Sequence, residues 1–215
     1  HFAQHRRVAH ASTGGDEIVG EHRGFAAILV DGNSGHTLYA RNEHELRHPA
    51  SVTKVMTLYM LFEQLEKGRY SLNSPLKVSA WAARQAPSKL NLQAGETIEV
   101  EDAIKALVTK SANDVAVVVA ENIGGTEQNF AAMMTRKARA LGMTNTTFYN
   151  ASGLPHDDQF TTARDMSTLG VSLIRDFPKD YDLFSTKSFA FRGRTINGAV
   201  GKATRTVNLG FTHEV

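Results

Sequence analysis

The sequence contains no cysteine, which excludes a disulfide scaffold, a thiol nucleophile and thiolate metal sites. It also lacks a dominant charge. Twenty-four Lys and Arg against 22 Asp and Glu leave a formal net charge of +2 over 215 residues. No strong field therefore favours nucleic acid or an acidic membrane surface as a partner. Long apolar runs are missing too. The purest, Val115 to Ala120, is six residues long, far short of the roughly 18 to 20 that a membrane-spanning helix needs. No Gly-rich loop opens a helix after a strand, because Gly124-Gly125 ends a helical stretch instead. A nucleotide-phosphate role is not expected.

What remains is enough chain to bury a substantial core, as one large domain or a core with a small subdomain. Residues 1–23 carry four His (His1, His5, His10, His22) among mixed charges with little apolar periodicity. They are expected to form a flexible N-terminal arm. The first residue is His1 rather than Met, so a leader is expected to lie outside this sequence. Residues 24–215 are read as the folded body.

Two strand-like runs follow the arm, Phe25 to Val30 and His36 to Ala40, joined by the turn Asp31-Gly32-Asn33-Ser34-Gly35. Residues 51–67 read as a helix stopped by Gly68, with apolar side chains nearly encircling its axis. Such a helix belongs inside the protein. Further helices are predicted at about 101–109, 114–123, 127–141 and 162–176, with Thr126 and Thr161 or Thr162 as N-caps. Residues 186–196 return to strand character, Phe189 and Phe191 alternating. The order predicts an α/β (α+β) fold. An antiparallel sheet of N- and C-terminal strands packs with helices, and a helical subdomain is inserted between the strands.

Three constellations carry possible chemistry. In Ser51-Val52-Thr53-Lys54 the spacing places Lys54 over Ser51 on one helix face. Apolar surroundings would lower the Lys54 pKa, so that a neutral amine could act as base. Free N–H groups at the helix start would stabilise a developing oxyanion. Ser-x-x-Lys alone is a common pattern, however. In Lys110-Ser111-Ala112-Asn113, Ser111 and Asn113 can face one cleft, one relaying a proton and the other holding an amide. Read in isolation, this is an ordinary polar turn whose Asn113 caps the next helix. His44-Glu45-Leu46-Arg47-His48 matches the zinc-protease pattern, but that chemistry needs a helix carrying both His. Pro49 biases His48 away from helix, and the pattern is read as a coincidence on a polar loop, with no metal site.

Together the motifs form a joint signal. Pro49-Ala50-Ser51-Val52-Thr53-Lys54 and Lys110-Ser111-Ala112-Asn113-Asp114 resemble the low-molecular-mass penicillin-binding proteins that act as D-alanyl-D-alanine carboxypeptidases. The likeness extends through Ala140-Leu141-Gly142-Met143-Thr144, Asn150-Ala151-Ser152-Gly153-Leu154-Pro155 and Phe160-Thr161-Thr162-Ala163-Arg164-Asp165-Met166, over roughly residues 24–197.

The resemblance implies a periplasmic or cell-surface serine acyl-transfer enzyme acting on peptidoglycan stem peptides. In that reading Ser51 attacks the carbonyl between the terminal D-alanines and Lys54 takes its proton. Ser111 passes a proton to the leaving D-alanine, and Asn113 holds the substrate amide. β-Lactams would acylate Ser51. No metal or organic cofactor is implied, and membrane association would come through material outside this sequence. The family's third element, Lys-Thr-Gly on a late strand, does not occur. Val207-Asn208-Leu209-Gly210-Phe211-Thr212 keeps the Gly-aromatic-Thr end with Asn208 and Leu209 before it, and Gly201-Lys202-Ala203-Thr204 is another imperfect match. The C-terminal end is therefore expected to be incomplete or altered. Two alternatives follow. One is a penicillin-binding fold that holds cell-wall peptide without cleaving it. The other is a serine β-lactamase, which ranks lower because residues 144–165 offer Asp157, Asp158 and Asp165 but no Glu to activate water.

Overall fold

The computed structural model describes residues 8–12 and 26–198. Its centre is α1 (Thr53–Glu66), where 11 of the 14 residues are buried. The nearly all-apolar circumference predicted an interior helix, and packing delivers one. Around α1 lie α3 (Val100–Lys110), α4 (Asn113–Gly124), α5 (Glu127–Leu141) and α6 (Ala163–Asp176), each in contact with it. Their boundaries follow local chemistry. The Thr126 hydroxyl accepts from Asn129 N, and that of Thr162 from Asp165 N, each at 3.0 Å. These bonds satisfy N–H groups left over at the two helix starts. Gly142, left-handed at φ 94°, ends α5.

Strands β1 (Val8–Ser12), β2 (Ala27–Asp31) and β3 (Thr37–Arg41) form an antiparallel sheet in that order, and α6 packs on β1 and β2. Val8–Ser12 lies within the predicted flexible arm, so that expectation is corrected for these five residues. They pair from Val8 with Asp31 to Ser12 with Ala27. The apolar β2 needs ladder partners on both sides, a demand that five residues without clear alternation do not reveal. The rest of residues 1–23 lies outside the described residues.

The helical region is inserted between β3 and the last strands. It also holds a small pair, β4 (Pro75–Lys77) with β5 (Thr97–Glu99), and the short helix α2 (Ala80–Ala83) capped by Ser79. After a 3-10 stretch at Asp180–Ser185 come β6 (Ser188–Phe191) and β7 (Arg194–Asn197). These strands close on each other and pack against α3. Among the described residues they do not join β1–β3 in one sheet, the residues after 198 lie outside that set, and the predicted α/β (α+β) class stands. The pairing of β6 with β7 has a local cause. Arg192 and Gly193 both have positive φ, 49° and 75°, as a two-residue hairpin turn requires.

Candidate active site

The chain enters α1 through a 3-10 turn at Ala50–Val52, which places half-buried Ser51 just before the helix. Ala50 sits at φ 44°, a conformation that costs about 1–2 kcal/mol for a residue with a Cβ. Gly153 holds this turn from outside. A Cβ on Gly153 would lie 1.7 Å from Ala50 O and 3.1 Å from Ser51 N, so the two backbones are in direct contact.

Lys54 follows one turn later and is 1% exposed. Its Nζ donates to Asn113 Oδ1 at 2.8 Å and to the Ser152 carbonyl at 2.7 Å. Burial lowers its pKa from 10.5 to about 7, because the interior disfavours the charged form. A neutral amine has two N–H donors and one lone pair. These two acceptors use both donors and leave the lone pair for an incoming proton.

Asn113 reaches Lys54 because it does not serve as a cap. Ala112 is the N-cap of α4 and makes no side-chain bond. The Asn113 amide is thus held at both ends, Oδ1 by Lys54 and Nδ2 donating to Ala86 O at 2.8 Å. Ser111 ends α3 in the left-handed region (φ 52°, ψ 47°). Its Oγ is buried without a hydrogen-bond partner among the described residues. A buried orphan hydroxyl costs about 1–3 kcal/mol, so this one is free to take a new partner.

Two supporting groups carry no sequence signal of their own. Thr57, one turn beyond Lys54, donates to the Ala151 carbonyl at 2.7 Å. One face of α1 therefore grips two successive carbonyls, Ala151 and Ser152. Gln159, 2% exposed, accepts from Tyr149 N and Asn150 N at 2.9 and 3.1 Å and shapes the same loop. At its rim, Glu127 accepts from the Trp81 indole at 3.3 Å and from Ala151 N at 3.4 Å, and burial raises its carboxyl pKa.

Residues 42–49, which carry the His-Glu-x-x-His pattern, are not helical. Glu45 pairs with Arg47 at 3.2 Å, while His48 bonds the Gln159 carbonyl at 2.8 Å and stacks on Phe160. The pattern makes no common face for a metal. Among the described residues no cluster of three His, Asp or Glu forms elsewhere. The Lys-Thr-Gly position and residues 199–215 lie outside the described residues.

Among described families, one described as D-alanyl-D-alanine carboxypeptidase matches residues 11–209. The chain belongs to this family. Relatives include the D-alanyl-D-alanine carboxypeptidase DacC of Escherichia coli, 37% identical over 172 residues, covering 77% of this chain and 43% of the relative. DacF of Bacillus subtilis is 34% identical over 154 residues, covering 72% of this chain and 40% of the relative. The chain therefore spans about two-fifths of the length of either. Among solved structures, penicillin binding protein 5 of Haemophilus influenzae superposes with a TM-score of 0.76 at 32% identity, over 80% of this chain and 51% of that one. Ampicillin-bound penicillin-binding protein D2 of Listeria monocytogenes gives 0.66 at 28% identity, over 80% of this chain and 70% of that one. Family membership explains why two separate sequence motifs meet at one amine.

Proposed function

We propose that this chain carries the acylating site of a serine-type D-Ala-D-Ala carboxypeptidase that trims peptidoglycan stem peptides outside the cytoplasm. One observation carries the reading: a buried amine whose pKa burial lowers to about 7, held by Asn113 and Ser152 and three residues after Ser51 in the chain.

In this mechanism Ser51 Oγ attacks the carbonyl carbon of the penultimate D-alanine while its proton passes to the Lys54 lone pair. The tetrahedral oxyanion is stabilised by backbone N–H at the start of α1. The C–N bond then breaks, and the leaving amine takes a proton by way of Ser111. Water cleaves the resulting ester, restores the Ser51 hydroxyl and releases the shortened peptide. Asn113 orients Lys54, and its second Nδ2 proton holds the substrate amide. A β-lactam follows the same path to an ester that water cleaves slowly. The ampicillin-bound state of a related structure supports this extension.

A second reading, peptide binding without cleavage, is favoured by Asn208 and Leu209 standing where the resemblance places Lys and Thr. Without a cation for the substrate's terminal carboxylate, turnover suffers more than recognition of the peptide stem. Both activities are measured together, as labelling by a fluorescent penicillin and as D-alanine release from a D-Ala-D-Ala peptide. Labelling lost in Ser51→Ala together with D-alanine release supports the carboxypeptidase. Ser51-dependent labelling without release supports the second reading, and equal labelling of Ser51→Ala defeats both.

A further inference from the structure

Asp114 is completely buried yet takes no part in the steps above. Its carboxylate faces the segment that joins α2 to β5. Oδ1 accepts from Leu90 N at 3.0 Å and Oδ2 from Leu92 N at 3.0 Å, and Oδ1 also accepts from Val115 N at 2.9 Å. The neighbouring residue ties the same segment twice more. Asn113 N donates to Ser88 O at 2.8 Å, and Asn113 Nδ2 donates to Ala86 O at 2.8 Å. Residues 86–92 thus form a strap across the start of α4.

Packing anchors only the far end of this strap, where Leu92 is buried in the core and Leu90 packs against it. Gln85 and Leu92 are buried, whereas none of the residues 86–91 between them is. Over the exposed residues 86–88 the strap is held by the two hydrogen bonds from Asn113, and the Asp114 carboxylate fixes the backbone at Leu90 and Leu92. The strap in turn fixes a choice that Asn113 cannot make alone. A side-chain amide has similar shape either way round, and rotation by 180° would turn its NH2 toward the Lys54 amine. The Ala86 carbonyl accepts only from Nδ2, so a strap held in place keeps Oδ1 on Lys54.

We propose that Asp114 is a positioning residue for the acylation step, acting through the strap on Asn113 and through Asn113 on Lys54. The proposal rests on the reading of Lys54 as the base of Ser51. It separates the roles of two adjacent residues, Asn113 meeting the reacting groups and Asp114 setting which way Asn113 faces.

The test is a double-mutant cycle with Asp114→Asn, which keeps the size but turns one acceptor into a donor facing a backbone N–H. Amide exchange at Leu90 and Leu92 and tryptic cleavage after Lys89 are followed beside penicillin acylation across pH. The expected result is exchange at these amides faster by about tenfold or more, acylation slower by about tenfold, and a displaced midpoint of its pH profile. In an Asn113→Ala background, Asp114→Asn is expected to loosen the strap equally and to leave the residual acylation rate unchanged. A loosened strap with normal acylation in the Asn113 protein overturns the proposal, as does an equal loss of acylation in both backgrounds. Should Asp114→Asn fail to fold, wild-type exchange decides. Protection of Leu90 and Leu92 comparable to α4 supports the latch, and open-loop rates overturn it. A wild type that takes no penicillin at all overturns the site reading and the link to acylation, while the exchange data still report whether Asp114 holds the strap.

Discussion

Lys54 Nζ donates to Asn113 Oδ1 at 2.8 Å, joining residues 59 positions apart in the chain. The bond explains how an amine can stay buried without its charge. Both of its N–H groups have acceptors when it is neutral, and the interior resists a third proton.

Removing that amine changes how stability depends on pH. The native pKa of about 7 lies below the ordinary 10.5. Between those values the unfolded chain binds a proton that the native state does not, so wild-type stability rises with pH across this window. Lys54→Met lacks this dependence. Urea melts of both proteins are expected to diverge by roughly 2–3 kcal/mol between pH 7 and 9, the wild type gaining. A constant difference would contradict a depressed Lys54.

Thr57→Val keeps the shape of the side chain and removes the donor to the Ala151 carbonyl. An unpaired buried carbonyl costs about 1–3 kcal/mol. Denaturant melts should show that loss, and penicillin acylation should slow because the adjacent Ser152 carbonyl shifts relative to Lys54. Unchanged acylation would mean that this loop does not need Thr57 to place its second acceptor.

Two glycine substitutions separate crowding from backbone strain. Gly153→Ala puts a methyl 1.7 Å from Ala50 O, where only backbone can yield. A loss of more than about 3 kcal/mol is expected, with acylation abolished. Gly95→Ala, at φ 89° with no atom within 4 Å, is expected to cost only the strain of about 1–2 kcal/mol and to leave acylation alone. Thermal melts of both variants check the contrast.

Much of this architecture is legible from residue patterns, because the apolar faces of α1 and α3–α6 run for several turns between Gly, Pro and Thr signals. The strands β4 and β5 are not. Each buries a single side chain, Leu76 or Ile98, too little to show a period of two. Val8–Ser12 gains its structure from pairing with β2 rather than from its own composition. At the site, Ser51, Lys54, Ser111 and Asn113 stand out by residue type and spacing. Asn113 seen alone reads equally well as a helix cap, and only the fold shows Ala112 taking that place. The Ser152 contribution was hidden because it is a carbonyl, which every residue possesses. Asp114 gave one overlooked signal, an acid at the head of an apolar run that has to be buried.

Tyr59→Phe probes the fold away from the site. The Tyr59 hydroxyl donates to Asp176 at 2.7 Å, tying α1 to the end of α6. Hydrogen bonds from Arg175 and then Tyr59 hold the Asp176 carboxyl below its ordinary value of 3.8. The stabilisation is present above that value and fades as pH falls through the native one. The variant is expected to lose about 1–2 kcal/mol at pH 7 and less in acid, with acylation unchanged. An equal deficit at all pH values would show that the carboxylate is not involved.

Intact mass after exposure to a β-lactam, followed by peptide mapping, tests the central assignment most directly. The wild type is expected to gain one drug mass on the peptide carrying Ser51, more rapidly as pH rises through about 7, and Ser51→Ala is expected to gain none. An adduct elsewhere, or the same gain in Ser51→Ala, would contradict the assignment of Ser51 as nucleophile and Lys54 as its base.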